Sequence, residues 1–272
     1  MSTGVSQDNN QQIMQLLMQQ NPILNIDPHW DVHTMSFYFI VMMLTNKIES
    51  MSNQMGGLGT QANAFGQMRQ DIINIENDIK EQQAYMQQNG NPTTLPPAMV
   101  NKFSQDVLKA TQDAVNLQLN YPGVAGSGDP LSALYHILST PIGPSGSGYT
   151  LGSAILNHLL GQQDPNSPNY NAAEDADFCG PPDGNNDPGL SVWAQQSSTD
   201  TSGTYYNMLN NGIQGGMSLT DLDTELGTTT SDLDTLLNTD ATYLSQCVTV
   251  GQNGTKAYTD FESLIVNNQK SS

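Results

Sequence analysis

Two histidines four residues apart, His29 and His33 in "HWDVH", share one face of a helix, a spacing that metal ligands use. A zinc protease would want Glu directly after the first histidine, and Trp30 stands there instead. The pair therefore reads as surface or interface histidines at a helix start. A second constellation, "DGNNDPG", sets Asp183, Asn185 and Asp187 two apart, as a calcium loop begins. Pro188 occupies the position of the turn glycine and Ala194 that of the bidentate acid, so a solvated acidic loop is the simpler reading. Glu174, Asp175 and Asp177 lie nearby, and calcium binding by residues 174–187 stays open. His136 and His158 fall on apolar faces of short helices and read as packing residues. Cys179 and Cys247 are far apart, outside any Cys-x-x-Cys spacing, and their pairing is not decided by the sequence. No nucleophile elbow or phosphate loop occurs, and no Cys/His pair has a recognisable context. The chain reads as non-enzymatic, with no catalytic residue, metal ligand or cofactor assigned.

The composition narrows the partners. In 272 residues, 7 Lys+Arg stand against 26 Asp+Glu, a formal charge of −19, and only 12% of residues are charged. Between Lys109 and Lys256 there is no basic residue. Such a surface repels phosphate backbones and anionic lipid heads, which excludes a nucleic-acid binder. The N-terminus has no Lys or Arg ahead of its short apolar patch and lacks a small-residue cleavage site, so it is not a Sec signal peptide. The densest apolar run, Phe37 to Leu44, is far shorter than the roughly 20 residues of a transmembrane helix. A soluble protein is expected, secreted or on an extracellular surface, exported by another route.

Two long amphipathic helices must frame whatever the chain does. Asp27 and Pro28 announce the first. Phe37, Leu44, Met51, Leu58, Phe65, Ile72, Ile79 and Met86 then repeat every seventh residue. A companion row, Val41, Ile48, Met55 and Ala62, follows four residues after each; beyond Phe65 it moves to Met68 and Ile75, three residues after. This is a coiled-coil seam with a local register slip. Leu58 sits on the seam inside "GGLG", so the pattern predicts helix through glycines that each cost about 1 kcal/mol relative to Ala. A hinge or a close helix approach is expected there. Near the other end, Leu219, Leu226, Leu233, Asp240, Cys247, Gly254 and Phe261 form one row. Leu222, Thr229, Leu236, Tyr243, Val250, Ala257 and Leu264 form its companion.

The expected fold is mainly α: a long antiparallel coiled-coil pair of N- and C-terminal helices with an inserted α-rich, loop-rich domain. Residues 1–26 read as a disordered leader and possible export signal, 27–90 as the first helix, 91–216 as an acidic α-rich insert, and 217–272 as the closing helix and tail. Within the insert, residues 98–120 read as a helix with Phe103, Val107, Ala110, Ala114 and Leu117 on one face. "LSALYHIL" reads as a second helix, and "LGSAILNHLL" as a third ending at Gly161.

The passage "SFYFIVMMLTNKIESMSNQM" and the heptads from Leu219 to Leu264 resemble the first and closing helices of EspA-like type III secretion filament proteins, and then of needle-tip proteins. The resemblance implies an exported structural protein that assembles through its terminal helices and is guarded by an export chaperone beforehand. The long middle segment favours a tip-like protein with a globular head. Self-association is expected through Phe37, Val41, Leu44, Ile48, Met51, Leu58 and Phe65 against Leu222, Leu226, Leu233, Leu236, Tyr243 and Leu264, directly or between neighbouring subunits. A virus or phage capsid or tail protein is the alternative, and a calcium-dependent binder or hydrolase the third. Replacing Leu44→Asp together with Met51→Asp should abolish oligomerisation measured by light scattering; an unchanged oligomer would mean that the seam is not the interface.

Overall fold

The computed structural model describes residues 32–122, 129–142, 149–180, 189–195 and 200–270, with side chains from 40 to 268. The leader, His29, the side chains of His33 and Phe37, and the Asp183–Asp187 motif lie outside the described residues. Among those described the chain is helical, with one isolated antiparallel bridge between Pro141 and Thr150. The elements in order are α1 (Val32–Gln88), α2 (Pro97–Asn120), α3 (Pro130–Leu138), α4 (Leu151–Gln163), α5 (Ala172–Cys179), α6 (Leu190–Gln195), α7 (Thr204–Tyr206, continued as a π turn over Asn207–Asn211) and α8 (Leu219–Lys270).

The terminal helices pack as the antiparallel pair that the heptads demand. Two compact units divide the chain, residues 1–57 with 236–272, and residues 58–235. The breaks therefore fall inside α1 and α8, rather than at residues 90/91 and 216/217. The reason lies in the seams. Phe65, Met68, Ile72, Ile75, Ile79 and Met86 of α1, with Leu219, Leu222, Leu226 and Leu233 of α8, belong to the buried core of the 58–235 unit. They share that core with Val100, Phe103, Val107, Ala110, Ala114 and Leu117 of α2. Helix runs unbroken through "GGLG". A Cβ on Gly56 or Gly57 would meet nothing within 4 Å, so no close helix approach requires these glycines.

Local signals start the shorter helices. Asp129 caps α3 by accepting from the Leu131 N–H, with Pro130 in the first turn. Thr150 and Ser153 form a capping box on α4, which ends at Gln163, two residues beyond the expected Gly161. Thr-rich α8 satisfies its hydroxyls on its own backbone: Thr224, Thr242, Thr249 and Thr259 each donate to the carbonyl four residues earlier at 2.9–3.0 Å.

The α1/α2 register in the 58–235 unit is set by charge as well as packing. Asp71 and Asp78, next to seam residues and seven apart, are buried to 1% and 2% exposure. Lys109 donates to Asp71 at 2.5 Å, and Lys102 donates to Asp78. Both helices thus offer charges at a seven-residue interval, in opposite directions. One turn beyond Asp78, buried Gln82 accepts from the Tyr205 hydroxyl. Tyr205 stands edge-on to Trp193 at 5.6 Å and to Phe103 at 6.3 Å.

Burial pushes the Asp78 carboxyl up to about 6 from 3.8, although Lys102 pulls the other way. A carboxyl whose folded-state pKa is raised takes up more protons folded than unfolded across this window, so it favours the fold at low pH and opposes it once ionised. As pH rises from about 4 to about 6, wild type should lose stability relative to Asp78→Asn, in urea titrations at stepped pH. A stability difference that stays flat across the window would contradict this assignment.

Candidate assembly face and side-chain cluster

In the unit formed by residues 1–57 and 236–272, α1 presents Val41, Leu44, Ile48, Met51 and Met55 toward α8. Met51 is buried and the other four are half-buried. On α8 the half-buried positions are Leu237, Asp240, Ala241, Leu244, Cys247, Gly251, Gly254 and Tyr258. Here the companion row follows its seam by four residues, where Leu222 follows Leu219 by three. The expected companions Leu236, Tyr243 and Leu264 are turned outward, at 53, 56 and 61% exposure, and do not join the intramolecular seam. Leu236 and Leu237 are adjacent leucines, and the local register selects the second. Val250 and Ala257 are exposed as well, completing a row at 236, 243, 250, 257 and 264.

The seam in this unit is thin. Gly251 leaves room beside Leu44, whose Cδ1 lies 3.7 Å from where a Cβ would stand. A mostly apolar groove of about 500 Å³ opens there, lined by Val41, Leu44 and Ile48 on one side and Val248, Gly251 and Thr255 on the other. By contrast Leu58, Phe65, Leu222, Leu226 and Leu233 belong to or pack on the core of the 58–235 unit, and only Leu58 among them is half-buried.

The 58–235 unit also gathers three side chains that the sequence keeps apart. Reciprocal hydrogen bonds clamp α4 to the start of α5: Asn157 Nδ2 donates to the Asn171 carbonyl at 3.1 Å, and the Asn171 N–H returns to Asn157 Oδ1 at 3.0 Å. Asn171 then caps α5 by accepting from the Ala173 and Glu174 N–H groups. This clamp sets Asp175 and Cys179, one turn apart on α5, against His158 of α4. His158 Nδ1 donates to Asp175 Oδ1 at 2.7 Å, and Cys179 Sγ lies 3.7 Å from that nitrogen and 3.8 Å from that oxygen. Tyr170 donates to Asp175 Oδ2 at 3.0 Å. Its ring closes over Gly161, where a Cβ would come within 2.3 Å of it.

His158 is buried, as a packing residue would be, yet it also carries this polar contact. Burial first, and then the Asp175 carboxylate, push the Cys179 thiol up to about 12, so it is no ready nucleophile. Asp175 and Cys179 both approach the same imidazole nitrogen, which is not the relay of a hydrolase triad. Both cysteines are free thiols. His136 lies against Gly216 and lines a polar groove with Asp129 and Asp221.

Among the described residues, no helix is long and apolar enough to cross a membrane. No family model matches the chain, and comparison with curated proteins and with solved structures returned no match. Replacing Gly251→Ala should stabilise the terminal pair by about 1 kcal/mol, because the added methyl meets Leu44 at ordinary contact distance and removes a helical glycine. Thermal melting followed by circular dichroism reads this directly, and a lowered melting point would mean that the groove is held open for another purpose.

Proposed function

We propose that this chain is a non-enzymatic structural protein that assembles with copies of itself through its terminal helices, as an exported component of a type III secretion apparatus at the needle tip or in a filament. The observation that carries the assembly half is the exposed row Leu236, Tyr243, Val250, Ala257 and Leu264 on α8. Apolar side chains at a strict seven-residue interval are covered best by a second helix bearing the same interval. A copy of α8 supplies one. The thin intramolecular seam and its open groove add to this: a pair that buries so little of its own apolar surface gains by recruiting further helices. The acidic, lysine-poor surface would keep such subunits soluble before assembly.

The export half rests on the heptad resemblance to EspA-like and needle-tip proteins and on the polar N-terminal stretch. An export chaperone would cover the apolar run that begins at Phe37. Residues 1–26 fused to a reporter should direct type III secretion; retention of the fusion would remove that half and leave a structural protein of another assembly, such as a virion. The double variant Tyr243→Glu with Val250→Glu should shift the protein to monomer in light scattering while leaving its helix content intact. Persistence of the wild-type oligomer would remove the self-assembly reading.

A further inference from the structure

We propose that His158, Asp175 and Cys179 form a binding site for a single divalent ion of the zinc class, stapling α4 to α5. Imidazole, thiol and carboxylate together are the donor set that borderline ions such as Zn2+ select. All three ligand atoms lie within 4.8 Å of one another. Zinc–ligand bonds of ordinary length in a tetrahedral arrangement separate sulfur from nitrogen or oxygen by about 3.6 Å. The sulfur already stands 3.7 Å from the nitrogen and 3.8 Å from the oxygen. Only the His158–Asp175 contact, at 2.7 Å, must widen, because the ion replaces the hydrogen bond between them.

The surroundings are built to hold that geometry. The Asn157–Asn171 clamp fixes how α5 leaves α4, and Tyr170 orients the carboxylate through its second oxygen. His158 is held almost fully out of solvent, while Asp175 keeps 17% of its side-chain surface exposed and offers a way in. Without an ion, burial first and then the neighbouring carboxylate favour the protonated thiol. Uptake of Zn2+ would release the thiol proton to solvent, shift the imidazole proton from Nδ1 to Nε2, and leave the thiolate, carboxylate and dication neutral together. Three protein ligands leave a fourth position for water.

The test is cobalt titration of the full chain, with Co2+ standing for Zn2+, followed by zinc competition. Wild type and Cys247→Ser should each bind one equivalent with a sulfur-to-cobalt charge-transfer band, which zinc displaces while raising Tm. Cys179→Ser should lose the band, and Asp175→Asn should bind measurably weaker. Circular dichroism confirms that each variant folds, and Asp175→Asn decides the matter if Cys179→Ser does not. Absence of the band in wild type, its loss in Cys247→Ser, or unchanged binding in Asp175→Asn would each overturn the proposal and leave the three residues as a clamp between helices.

Discussion

Two buried carboxylates seven residues apart, each held by a lysine of the facing helix, fix where α1 lies on α2. Apolar seams alone tolerate sliding, since one isoleucine fits much the same hole as the next. A slip of one heptad would leave a buried acid without its lysine, at a cost of about 3–5 kcal/mol. With α2 fixed, Phe103 meets Tyr205, Tyr205 reaches Gln82, and Trp193 closes over the tyrosine. The interior of the 58–235 unit is thus specified by polar contacts set in a greasy frame, and the apolar contacts fill around them.

The first and last helices, α1 and α8, meet a different problem in the terminal unit. There Val41, Leu44 and Ile48 stay half-buried, and Gly251 stands where a larger residue would meet Leu44 and thicken the seam. Little of this pair is spent on holding itself together. Spare apolar surface stays exposed on both helices, at Ile40 and Met43 of α1 and at Leu236, Tyr243, Val250, Phe261, Leu264 and Val266 of α8.

Much of this architecture was legible beforehand. The seven-residue repeats of α1, the buried face of α2 from Phe103 to Leu117, and the Asp129–Pro130 start of α3 all follow from spacing and capping chemistry. Three features did not. Leu236 and Leu237 are equally apolar, and only the position of α1 decides which is covered. Gln82 interrupts the row that runs from Met68 through Ile75, and its acceptance of the Tyr205 hydroxyl joins residues 123 apart. His158, Asp175 and Cys179 meet because two asparagines bracket a helix start, a pairing that no local pattern announces. The seven-residue interval shared by Asp71–Asp78 and Lys102–Lys109 was visible all along, but it gains meaning only once α1 and α2 are known to be neighbours.

The hydroxyls that α8 turns back onto its own carbonyls carry one more consequence. A threonine so engaged directs its oxygen inward and shows its methyl group to whatever lies outside. The surface of α8 is therefore oilier at these threonines than a residue-by-residue hydropathy scale assigns.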